Sequence, residues 1–141
     1  MKALKFKHTL LLIFVQLLVI FSAVAVENEE FSKNLHKEYN ADQNTILFIQ
    51  NKFGNVDVNN WDKNQITIDV TITVDHHNEE KAKELIDYIS VEFNQSGNRI
   101  EAITHIDDKF SKWNTFTFGD NKKDFSIDYK VNIPKYIQLE L

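Results

Sequence analysis

The sequence predicts a mainly β domain with one short helix, and three features predict it. Residues 65–75 alternate apolar and polar side chains without a break, and Phe125–Ile133 does the same. Both runs are rich in β-branched or aromatic residues, as half-buried strands are. Between them, Ala82, Leu85, Ile86 and Ile89 recur at i, i+3, i+4 and i+7, the one helical face in the chain.

The first 25 residues predict an address. Lys2, Lys5 and Lys7 precede an apolar run, Leu10–Phe21, broken only by Gln16, and Ala23-Val24-Ala25 supplies small residues before a cut. That order is a secretory signal peptide. A retained anchor is the alternative, since Leu10–Val26 sits at the lower edge of bilayer-spanning length. The Ala-x-Ala site favours cleavage, with no membrane insertion afterwards. Removing 25 of the 141 residues leaves 116, the length of one domain. The segment holds three lysines and no acids, so a net charge of −5 becomes −8. Such a surface repels phosphate backbones and anionic lipid heads, which disfavours nucleic acid as a partner. The chain has no cysteine. Disulfides, a lipidated cysteine anchor, thiol catalysis and Cys-ligated zinc are excluded.

Residues 26–44 are polar and charged, with Phe31, Leu35 and Tyr39 spaced by four. This predicts a helical turn or two, or a weakly ordered leader. The β-rich domain then runs from 45 to 141. Ile46-Leu47-Phe48-Ile49 suits a strand covered on both faces. Phe53-Gly54-Asn55 is a turn in which Gly54 takes positive φ. Val56 and Val58 alternate with polar residues, and Trp61 lies amid the turn residues Asn59-Asn60 and Asp62-Lys63-Asn64.

The long strand Gln65–Asp75 puts Ile66, Ile68, Val70, Ile72 and Val74 on one face. The helix spans Asn78–Ile89, with Asn78 as N-cap, Glu79 and Glu80 in the first turn, and Glu79–Lys83 as an i,i+4 pair. Val91–Gln95, the turn Ser96-Gly97-Asn98 and the face Ile100, Ala102, Thr104, Ile106 follow as a hairpin. Asp107–Lys109 breaks the strand. Trp113–Phe118 is rich in aromatics, and Gly119-Asp120-Asn121 is a turn. Pro134 ends the next strand because it cannot donate to a ladder. Ile137, Leu139 and Leu141 begin another alternation, which predicts continuation beyond Leu141 and an open edge.

No catalytic motif stands out. His76-His77 beside Asp75 and Glu79 lacks metal-ligand spacing, and neighbouring side chains in an extended backbone point apart. His36 and His105 are too distant in sequence to be assigned. Asp57, Asn59 and Asp62 fail the spacing of a calcium loop, with Trp61 where an oxygen should stand. Asp107-Asp108, Asp120 with Asp124, and Asp69 are carboxylates that read as solvated turn or strand acids. No Gly-x-Ser-x-Gly elbow exists. Asn94-Gln95-Ser96 is a formal glycosylation sequon. No residue is assigned to catalysis, metal or a cofactor. An aromatic set, Phe110, Trp113, Phe116, Phe118, Phe125 and Tyr129 with Trp61, is the remaining candidate. Aromatics at alternating strand positions are more often core, but Trp61, Trp113, Phe116 and Phe118 are the residues on which a glycan could stack.

Asn51-Lys52-Phe53-Gly54-Asn55-Val56-Asp57-Val58, with Trp61, Gln65–Val74, the Asn78–Ile89 helix and Tyr129–Lys135, carries a resemblance. Over Tyr39–Leu141 the chain resembles the exported "putative adhesin" family of unknown function from Bacteroidetes-type bacteria. The resemblance implies that the chain is the N-terminal portion of a β-helix-like solenoid, and it supplies no catalytic residues. A small α+β domain, one antiparallel sheet packed on the helix, is the alternative fold. The function expected is a non-enzymatic, adhesin-like interaction protein of the cell envelope, periplasm or exterior, with a surface protein or a glycan as partner. A periplasmic scaffold and a glycan-binding or carbohydrate-active domain are the alternatives.

Overall fold

The structure is a computed structural model and describes residues 29–110 and 125–141. The segment read as a signal peptide, the turn at Gly119 and Trp113, Phe116 and Phe118 lie outside them. Eight strands and a helix follow in the order β1 (Glu29–Asn40), β2 (Ile46–Gln50), β3 (Val56–Trp61), β4 (Gln65–His76), α1 (Glu79–Asp87), β5 (Ile89–Ser96), β6 (Arg99–Ile106), β7 (Phe125–Pro134) and β8 (Gln138–Glu140). A further helical turn begins at Asp108. The Asp107 carboxylate accepts the Lys109 backbone N–H at 2.7 Å, an N-cap for that turn.

The strands form two four-stranded mixed sheets, ordered β1-β4-β7-β3 and β5-β6-β2-β8. Pairs β1–β4, β4–β7 and β5–β6 are antiparallel, while β3–β7, β2–β6 and β2–β8 are parallel. A small α+β domain fits, but with two mixed sheets in place of the one antiparallel sheet expected. The β-helix-like solenoid is not what the described residues form, because stacked coils pair in parallel and half of these pairs are antiparallel.

The alternating runs make the core. Ile66, Ile68, Val70, Ile72 and Val74 of β4 and Phe125, Ile127, Tyr129, Val131 and Ile133 of β7 are buried. They join Leu47, Ile49, Ile100 and Ala102 of the second sheet in one apolar cluster. Each such aliphatic side chain contributes about 1.5–3 kcal/mol on burial. The helix packs on β4, β1 and β5 through Ala82, Leu85 and Ile86. Its start matches expectation, with the Asn78 side chain accepting the Lys81 N–H at 2.9 Å and Lys83 pairing with Glu79 at 2.6 Å. Its end does not: the helix stops at Asp87, and Ile89 is the buried first residue of β5.

Among the described residues Gly54 takes the positive φ expected of it, and Gly97 lies in the expected hairpin turn. Gly54 has φ +116°, and a Cβ there would stand 2.3 Å from the Ile127 carbonyl oxygen. Gly97 has φ +59° at the first position of the two-residue loop joining β5 to β6, where a II′ hairpin turn places glycine.

Two expectations need correction. Residues 29–40 are no weakly ordered leader but the twelve-residue strand β1, paired with β4 from Glu29↔His76 to Asn40↔Gln65. An extended chain also places i and i+4 on one face, so the spacing of Phe31, Leu35 and Tyr39 fits a strand as well as a helix. Lys33 and Lys37 share that inward face and hid the alternation. Strand β2 is covered fully on one face only. Leu47 and Ile49 are buried, whereas Ile46 and Phe48 are half-buried on the outer face, where Arg99 lies 4.9 Å over the Phe48 ring.

Candidate functional site

The parallel pairing of β3 with β7 sets Trp61 opposite Pro134 at the ends of both strands. Two turns therefore emerge side by side: Asp62-Lys63-Asn64 into β4, and Lys135-Tyr136 into β8. The second is closed by the Ile137 N–H donating to the Pro134 carbonyl at 3.2 Å. Between them lies a shallow cleft of about 280 Å3, walled by Trp61 and Tyr136.

Both rings are held. The Trp61 indole N–H donates to the Gln65 carbonyl at 2.7 Å, which fixes the ring against the start of β4. The Tyr136 hydroxyl donates to Asn64 Oδ1 at 2.8 Å, and the Asn64 carbonyl accepts from the Ala41 N–H at 3.1 Å. Rings fixed in advance lose little conformational entropy when a ligand stacks on them. The charged groups are exposed by contrast. Lys63 Nζ sits 4.6 Å over the Trp61 ring, and Lys135 Nζ is 3.8 Å from Asp62 Oδ1, with both of the latter side chains largely exposed. Exposed pairs of this kind contribute at most about 1 kcal/mol.

A chain of polar contacts runs from this cleft across the outer face of the first sheet. The Gln65 side chain donates to Glu38 Oε2 at 3.0 Å. Glu38 Oε1 lies 3.1 Å from His36 Nε2, and His36 Nδ1 lies 2.6 Å from Asp69 Oδ1. Hydrogen bonds to the Asp69 and Glu38 carboxylates raise the pKa of His36 above its ordinary 6.5. The same face carries an Asn132–Thr67 bond at 2.9 Å and a Thr71–Asn34 bond at 2.9 Å.

Of the aromatic set, the structure separates the members it describes. Phe110 and Phe125 are buried edge to face at 4.6 Å, and Tyr129 is in the core. Trp61 is at the far end of β7 from Phe125, about 30 Å away along the strand. Among the described aromatics of that set only Trp61 is half-exposed, and its companion ring is Tyr136, which the sequence reading passed over.

His76 and His77 do not point apart but stack at 4.4 Å, and His76 Nδ1 accepts the Asn78 N–H at 2.9 Å at the helix entry. Among the described residues no group of three or more His, Asp or Glu side chains is arranged to hold a metal ion. Asn94 of the sequon is exposed on β5 and donates to Glu92. Among the described residues no helix is long and apolar enough to cross a membrane.

No family model and no curated protein matches the chain. Solved structures do. A "putative adhesin" from Parabacteroides merdae is 14% identical with a TM-score of 0.31, covering 74% of this chain and 33% of its own. A second, from Parabacteroides distasonis, is 14% identical at a TM-score of 0.33 with the same coverage. A "putative lipid binding protein" from Parabacteroides distasonis is 17% identical at a TM-score of 0.33, covering 74% of this chain and 34% of its own. The chain spans about a third of the length of these structures.

Proposed function

We propose that this chain is an exported, non-enzymatic interaction module that binds a glycan at the Trp61–Tyr136 cleft. The observation that carries the reading is the pair of aromatic rings, each fixed by a hydrogen bond, at the mouth of an open cleft edged with amide, amine and carboxylate groups. A sugar offers an apolar face to stack and hydroxyls to bond, which is the complement of such a surface. The cleft has one carboxylate, Asp62, facing Lys135. That suits binding, whereas glycoside hydrolysis calls for two carboxylates across the sugar. Export rests on the lysine-flanked apolar segment and the Ala23-Val24-Ala25 site.

A glycan array probed with the full chain and with Trp61→Ala tests the binding. The parent should retain sugars that the variant releases, with the fold unchanged by circular dichroism. Equal retention by both would remove Trp61 from the site. Protease added to whole cells tests the address: a surface-exposed chain is digested, a periplasmic one is protected until the outer membrane is opened.

A further inference from the structure

We infer that the Trp61–Tyr136 cleft selects an acidic sugar, one bearing a carboxylate or a sulfate, through Lys63. The inference rests on the glycan reading and adds the ligand's charge. The chain as a whole is acidic, at −5 over the full sequence. The cleft departs from that balance, since two lysines, Lys63 and Lys135, line it against one acid, Asp62. Lys135 and Asp62 lie 3.8 Å apart and offset each other. Lys63 then remains as the uncompensated charge, and its contact among the described residues is the Trp61 ring at 4.6 Å.

That position has a consequence for stacking. A sugar that lies on the Trp61 ring meets the ammonium already placed there. A neutral sugar must displace Lys63 and offers its ammonium only neutral hydroxyl acceptors in return, weaker partners than an anion. An acidic sugar exchanges the cation–π contact for an ion pair, with the lysine stem swinging aside while its head stays at the rim. Lysine is a compact point charge and accepts a carboxylate or a sulfate without a fixed fork. Tyr136, fixed by Asn64, lines the same cleft.

The test is a tryptophan-fluorescence titration of the full chain carrying Trp113→Phe, so that Trp61 alone reports. The probes are an oligogalacturonate hexamer, a sulfated maltohexaose and a neutral maltohexaose. At least one acidic probe should bind about fivefold or more tighter than the neutral one in low salt, as an exposed ion pair allows. That advantage should vanish in Lys63→Gln and shrink as salt rises. The two acidic probes distinguish a carboxylate ligand from a sulfate one. Neutral sugar binding as tightly as both acidic probes, or an acidic preference untouched by Lys63→Gln, overturns the inference while leaving the glycan reading standing. No response to any of the three overturns the glycan reading, and the inference with it. Lys63 is on an exposed turn, so its replacement leaves the core intact, and circular dichroism confirms that.

Discussion

The Tyr129 hydroxyl and the Thr104 hydroxyl meet at 2.6 Å, partly buried, and join β7 of one sheet to β6 of the other. Around it, Thr104 approaches Asn51 Oδ1 at 3.4 Å, and the Asn51 amide donates to the Ile127 carbonyl at 2.8 Å. Burial pushes the Tyr129 phenol up from its ordinary pKa of 10, so it stays a neutral hydroxyl in the core. Tyr129→Phe should cost about 1–2 kcal/mol, the value of a buried hydrogen bond whose partner is left behind. Thr104→Val should cost a similar amount, and the double variant less than the sum. Urea unfolding of the four proteins measures the coupling, and strict additivity would sever the proposed link between the sheets.

Gly54 should tolerate no side chain. Its φ of +116° is a region L-residues rarely adopt, and the Ile127 carbonyl stands where a Cβ would go. Gly54→Ala should lower stability by more than about 2 kcal/mol, from strain and the forced shift of β7 together. A thermal melt unchanged by the substitution would mean that the turn relaxes freely.

The inward lysines of β1 protect an open edge. Lys33 lies 3.7 Å from Asp87, and Lys37 is 5.9 Å over the Phe93 ring. Charges pointing inward on a long edge strand discourage pairing with another chain. Replacing both with valine completes an apolar face on β1 and should promote self-association, seen as a concentration-dependent shift in light scattering. A variant that stays monomeric at high concentration would assign edge protection elsewhere.

His36 should make stability depend on pH. Its folded pKa is raised by Asp69 and Glu38, with Lys130 paired opposite Asp69 on β7 as the nearest opposing charge by register. A raised pKa contributes stability that is fully present below the unfolded value near 6.5. That contribution is lost as pH rises through the higher folded value. His36→Gln should flatten the stability curve above pH 6.5 and change little once the pH has passed the raised folded value. If the parent gains stability across the same interval, the assigned sign is wrong.

Much of the core could be read before any coordinates. Strands β4 and β7 alternate because each has one face on the core and one in water, and that difference is written at every second residue. Asn78 and Gly97 act within a few residues of themselves, so capping and turn chemistry are visible in sequence. Strand β1 is not legible as a strand in the sequence, because an edge strand keeps its inward lysines in contact with water at the rim and the apolar period is lost. Of the site, Trp61 was singled out as an aromatic among turn residues. Tyr136 was not, since only the parallel register of β3 with β7 brings it beside Trp61. The Tyr136–Asn64 bond spans 72 residues, a separation no local pattern records. The histidines were likewise unassigned: His36 meets Asp69 through the β1–β4 pairing, 33 residues apart.

The sequence by itself determined the alternating strands, the capped helix and the glycine turns at Gly54 and Gly97, because each depends on interactions between near neighbours along the chain. Only the tertiary structure decided how the strands are ordered into two mixed sheets, and so which turn lies against which. The cleft belongs to that second class. Its two rings come from turns that strand register alone aligns, and the register follows from the summed burial of β3, β4 and β7 rather than from any residue in the cleft.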